Sequence, residues 1–182
     1  VAGCIADKFF PKSYLKFKKK YPELSINSED AFDIFYNSQI GKISRIFSFG
    51  LKDSTTNVVS MLKFLVKTEG PYDVLEENLH NRLMHKRFNE IDSKHKKLVN
   101  KAIELVEKDE KLIFFQYGGD LSISSDISNE LSFLFPKKFI IVAYILGAHA
   151  NISGRGKNIR EKVLEALKDL SDATGGGDRK ST

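Results

Sequence analysis

Apolar positions recur at helical spacing through the first hundred residues, then give way to short continuous runs. From Ser28 the pattern is helical: Ser28 suits an N-cap, Glu29 and Asp30 suit the first turn, and Phe32, Phe35 and Tyr36 share a face. Gly41 interrupts this stretch, while Ile40, Ile43, Ile46 and Phe47 carry the spacing on to Gly50. A further helix is predicted over 57–67 and stopped by Gly70-Pro71, and 73–80 adds a short one. The strongest helical signal runs over 83–108, with Phe88, Ile91, His95, Leu98, Ala102 and Val106 on one face and lysines opposite.

Beyond Asp109 the periodicity changes. Leu112 to Tyr117 reads as a strand ending at Gly118-Gly119-Asp120, and Ser125 to Phe135 as a helix ending at Pro136. Phe139 to Leu146 is continuously apolar, which predicts a strand buried on both faces. Gly147 allows a tight turn into a third, antiparallel strand over 149–153. An amphipathic helix follows over 158–170, opened by Asn158 and Glu161 as a capping box. Residues 1–30 read as loop and short helix, with a basic run at Lys16, Lys18, Lys19 and Lys20. The expected fold is therefore α/β: a helical amino-terminal part over 1–108, then a small mixed-sheet α/β domain over 109–182.

Composition narrows the class. With 182 residues, 41% hydrophobic and 29% charged, the chain suits a soluble globular protein with one good core or two small lobes. The net charge of +5 permits a polyanionic partner without requiring one. Cys4 is the sole cysteine, so no intrachain disulfide forms and a reducing cytoplasm is the natural setting. The longest apolar run falls far short of the roughly 20 residues of a spanning helix, so no membrane association is expected. The first residue is Val1, which suggests an excerpt from a longer chain.

Candidate chemistry concentrates in the last third. Ser153-Gly154-Arg155-Gly156-Lys157 precedes a predicted helix, and Gly175-Gly176-Gly177 follows it. Glycine-rich loops let backbone N–H groups approach an anion, a helix start adds unpaired donors, and Arg155 and Lys157 supply charge. An ordinary strand-to-helix turn and a terminal linker are the alternative readings. Asp7 ends an apolar run, Val1 to Ala6, where a carboxylate can act as a metal ligand or as a cap. His80, His85, His95 and His149 are too scattered for a metal motif. The lysines around 16–20 and 94–97 could track a nucleic-acid backbone or form a solvated basic face.

Together these segments resemble the DHH phosphoesterases, in particular their archaeal RecJ-like branch. Ile152-Ser153-Gly154-Arg155-Gly156 and Gly175-Gly176-Gly177 are similar to the Ser-x-Arg segment and the GGGH motif of the DHH-associated carboxy-terminal domain. Val1 to Asp7 resembles the last acidic motif of the catalytic domain. Gln39 to Leu51 and Lys67 to Tyr72 also look like archaeal members. The resemblance implies a carboxy-terminal fragment of a phosphodiesterase or single-strand exonuclease. In that family Asp7 would be a metal ligand, and Ser153 to Lys157 with Gly175 to Gly177 would bind substrate. The complete enzyme would use Mn2+ or Mg2+, whereas this fragment would lack most ligands, hold no complete catalytic set and bind no metal. Its partners would be single-stranded nucleic acid or oligonucleotides, a missing amino-terminal catalytic portion, and replication or repair proteins. The sequence departs from the family where Asp178 stands in place of the histidine after the triple glycine. A non-catalytic interaction module of replication or repair assemblies is the alternative.

Overall fold

Helical spacing in the first part is realised as α1 (Ala2–Ala6), α2 (Ser13–Lys20), a 3-10 turn (Pro22–Leu24), α3 (Ala31–Asn37), α4 (Gln39–Gly50), α5 (Thr55–Leu65), α6 (Pro71–Leu75) and α7 (Arg82–Glu104). The later runs become β1 (Leu112–Gly118), α8 (Ser124–Leu134), β2 (Phe139–Leu146), β3 (His149–Arg155) and α9 (Ile159–Leu167). The computed structural model describes residues 1–107, 109–168, 174 and 175. The fold is α/β, helices first and a small mixed sheet after them. The chain divides into two units, Val1–Ser93 and Lys94–Thr182, with the boundary inside α7.

In the first unit the break between α3 and α4 falls at Ser38, not at Gly41. Ser38 is extended, its hydroxyl donates to the Ile34 carbonyl, and the same oxygen accepts the Gly41 N–H at 3.0 Å. That bond caps α4 and turns the chain back on α3. Gly41 then sits against the Ile34 and Phe35 carbonyls so closely that a Cβ would collide with both. The N-cap of α3 is Asp30, whose Oδ1 accepts the Phe32 N–H at 2.8 Å; Ser28 instead accepts the Asp30 N–H. Helix α4 is the hub, packed against α1, α3, α5, α6 and the 3-10 turn. Its Ile40, Ile43, Ile46 and Phe49 are buried with Ile5, Ile34 and Ile91, and Phe49 stacks on Phe88 of α7. Buried Asn81 ties α6 to the start of α7, donating to the Asp73 and Glu76 carbonyls while its Oδ1 accepts the Asn78 N–H.

In the second unit the strand order is β1-β2-β3, with β1 parallel and β3 antiparallel to β2. Parallel neighbours require a crossover, which α8 provides; antiparallel ones need only the Gly147-Ala148 turn. Ile113, Phe115 and Tyr117 of β1 align with Ile140, Val142 and Tyr144 of β2, and all six are buried. Helix α8 packs on β2 and β3, and α9 packs on β3. Burial of β2 on both faces holds for Phe139 to Tyr144, where its side chains are buried or half-buried, and ends at exposed Ile145 and Leu146. Asn158 adopts a left-handed conformation (φ 57°) and makes no side-chain cap, so the expected capping box with Glu161 does not form.

Gly41→Ala should destabilise the protein by about 1–3 kcal/mol, because the added methyl meets rigid backbone rather than a movable side chain. Gly3→Ala, where a Cβ meets nothing within 4 Å, should change stability by less than about 0.5 kcal/mol. Urea midpoints of the two variants check the contrast.

Candidate nucleic-acid interface

The segment expected to be a loop at 153–157 is strand up to Arg155. Ser153, Gly154 and Arg155 pair with Val142, Ile141 and Ile140, because hydrogen-bonding to the central strand satisfies backbone groups that a loop would leave to water. Alternation along β3 then sorts the side chains. Ser153 and Arg155 lie over the face of β2 that carries Ile140 and Val142, and α8 covers that face; Gly154 lies on the opposite one.

The start of α8 meets β3 there. Ser124 Oγ and Ser153 Oγ are 3.0 Å apart. The Arg155 guanidinium donates through Nε to Asn129 Oδ1 at 2.7 Å, through Nη2 to Ser125 Oγ at 3.1 Å, and through Nη1 to its own strand's Gly154 carbonyl at 2.7 Å. One arginine and three serines thus gather at the amino-terminal end of an 11-residue helix, where backbone N–H groups lack intrahelical acceptors, with Asn129 one turn further along it. Ser124 and Ser128 are buried and Arg155 is half-buried. Such a set holds its guanidinium in a fixed direction and surrounds it with hydroxyl donors, chemistry suited to a phosphate oxygen.

The glycines have a packing role. Gly156 has φ +138°, and a Cβ there would stand 2.7 Å from Cδ1 of Phe139; Gly154 faces Ile159, the first residue of α9. Both permit α9 to close on the sheet. Lys157 is exposed, and Gly175 lies against Leu167 and Val163 of α9. Gly176 and Gly177, with Asp178, lie outside the described residues.

Asp7, in the first unit, is the exposed C-cap residue of α1. Among the described residues no three His, Cys, Asp or Glu side chains converge to hold a cation, so Asp7 does not by itself fit a Mn2+ or Mg2+ centre. His85 has an ordinary core role, its Nε2 2.9 Å from the Val74 carbonyl. Buried His95 faces Glu130, with Nδ1 3.6 Å from Oε2. No helix among the described residues is long and apolar enough to cross a membrane.

Sequence reasoning missed Ser124, Ser125 and Asn129, which only the fold brings to Arg155; the Ser-Ser pair opening a helix was the visible signal. It also missed two tyrosines that hold the loop from Gly118 to Ile123. Tyr117 Oη accepts the Ile123 N–H at 2.7 Å, and Tyr144 Oη donates to the Gly119 carbonyl at 2.8 Å. Burial above all pushes the Tyr117 phenol up to about 12, with the charges of Tyr144 and Asp126 adding to it and the Ile123 hydrogen bond opposing it.

No family model matches the chain, and no curated protein or solved structure matches it either.

Because Tyr117 ionises later in the folded state than its ordinary value near 10, its contribution to stability is intact below pH ~10 and is lost as pH rises towards 12. Ultraviolet titration should show a phenol ionising near 12 that Tyr117→Phe removes. That variant also leaves the Ile123 N–H without its acceptor, which should cost about 1–3 kcal/mol in urea unfolding.

Proposed function

We propose that this chain is the carboxy-terminal part of a RecJ-like phosphodiesterase, and that its α/β unit grips the phosphates of single-stranded nucleic acid. The observation that carries this reading is the convergence of Ser153 and Arg155, the residues resembling the family's Ser-x-Arg segment, with Ser124 and Ser125 at the start of α8. The guanidinium's bonds to Asn129 and Ser125 fix its plane, so little side-chain entropy remains to be lost on binding. Hydrolysis would belong to the complete enzyme, where Asp7 would hold a Mn2+ or Mg2+ ion only together with ligands from a further catalytic portion. The metal would activate water and polarise the phosphate.

A second reading, a module that docks replication or repair proteins, draws support from the sheet. Leu112, Phe114, Ile145 and Ile152 share the face carrying Gly154 and are 47%, 55%, 39% and 63% exposed. A row of large apolar side chains on one sheet face is more than the scattered exposure normal for a soluble surface.

Arg155→Ala should weaken binding of a labelled single-stranded oligonucleotide and reduce the slope of log affinity against log salt by about 0.7, the value for one lost phosphate contact on a single strand. Fluorescence anisotropy across a salt series measures both; an unchanged slope would sink the assignment. Under the docking reading, Phe114→Ser with Ile152→Ser should abolish pull-down of a replication or repair protein and leave oligonucleotide affinity unchanged.

A further inference from the structure

A cleft of about 400 Å3 lies within the second unit, between the later turns of α7 and the carboxyl end of β1 with the loop that follows it. Its base is apolar, formed by Leu98, Tyr117, Leu121 and Ile123, and its rim carries Lys94, Lys97, Lys101, Asn100, Glu104 and Asp120. Clefts outside the carboxyl ends of strands are where open α/β sheets take ligands, and this volume falls in the range of small-ligand pockets.

The rim's charges are unevenly committed. Lys94 Nζ donates to both carboxylate oxygens of Asp120, at 2.9 and 2.7 Å, forming a neutral pair across one edge. Lys97 and Lys101 have no hydrogen-bond or ion-pair partner among the described residues, and both are exposed. Four residues apart on a helix, they are neighbours on one face, separated by about 6 Å along the axis. Asn100 adds an amide able to donate and accept. The opposite wall is held in place: Tyr117 and Tyr144 anchor the loop from Gly118 to Ile123 near both ends, so the cleft exists without a ligand to form it.

We infer that this cleft holds one nucleotide of a single strand, its base against the half-buried Leu98 and Leu121 and its phosphates on Lys97 and Lys101. A flat, partly apolar ring with a polar edge suits the apolar base beside Asn100, and two uncommitted ammonium groups suit adjacent phosphate oxygens. A purely aliphatic anion is a poorer match, since the cleft is open and rimmed by polar groups. The assignment rests on the reading of the chain as a single-strand binder, but it uses residues separate from the Arg155 cluster. It also accounts for the lysine-rich face of α7, which the Ser153–Lys157 segment leaves unexplained.

The test compares two charge-matched double variants of the full chain, Lys97→Ala with Lys101→Ala and Lys63→Ala with Lys67→Ala, all four positions being exposed. By anisotropy with oligothymidylate, the cleft pair should lower affinity about tenfold or more and reduce the salt slope by about 1.4, and the control pair should change affinity less than about twofold. Lys97→Arg with Lys101→Arg should retain binding. Equal losses from the two alanine pairs would overturn the cleft. Loss on Arg155→Ala with none from the cleft pair would overturn the cleft alone; the mirror result would overturn only the Arg155 assignment. A wild-type chain that binds no oligonucleotide would overturn both.

Discussion

The second unit depends on the two-sided pairing of β2. Its backbone is hydrogen-bonded on both edges, parallel to β1 and antiparallel to β3, and Ile140 and Val142 are fully buried. A side chain's face in a strand is decided by parity, so a slip of one residue would turn Ser153 and Arg155 away from α8 and bring Gly154 in their place. The register that satisfies the apolar core therefore also aims the arginine. Core packing and site geometry are one constraint here.

The first unit rests on a different close approach. Helices α3 and α4 meet through backbone at Gly41, with Ser38 ending one and capping the other. A hydroxyl that satisfies an orphan N–H at a helix start lets a reversal of direction occur without burying an unpaired group. The buried isoleucines of α4 then serve as the surface on which α1, α3, α5 and α6 assemble. The unit's candidate metal ligand, Asp7, is an exposed carboxylate, and no three His, Cys, Asp or Glu side chains converge on a cation site among the described residues.

Polar groups at the two candidate surfaces differ in how far the fold has already used them. Arg155 is held by bonds to Asn129, Ser125 and its own strand, which use one N–H on each of its three nitrogens, so a phosphate there would meet a fixed guanidinium. Lys97 and Lys101 stand uncommitted beside an apolar base whose wall two tyrosines secure. The first arrangement offers direction and the second offers charge. Under the proposed reading a single strand would set its charged backbone against both and a base against the cleft.

Local pattern sufficed for most elements. The continuous run Phe139 to Leu146 became β2 at those limits, the strand beginning at Leu112 and the helix near Ser125 to Phe135 appeared within a residue or so, and the long helix of lysine-rich periodicity formed from Arg82 to Glu104. These signals are legible because burial imposes period 2 or 3.6 on neighbours in the chain. The division at Ser38 was not, since Ser28, Ser38 and Gly41 are all plausible punctuation and only the packing of α3 on α4 selects among them. The glycines around 154–156 looked like a phosphate loop by composition, whereas tertiary structure assigns Gly154 to a strand and sets Gly156 against the Phe139 ring. Sequence alone determined the element order and the basic, amphipathic character of α7. Only the fold decided which serines reach Arg155 and which lysines border a cleft, because those partners lie some 25 to 30 residues or less apart in sequence and are joined solely by strand register and helix crossover.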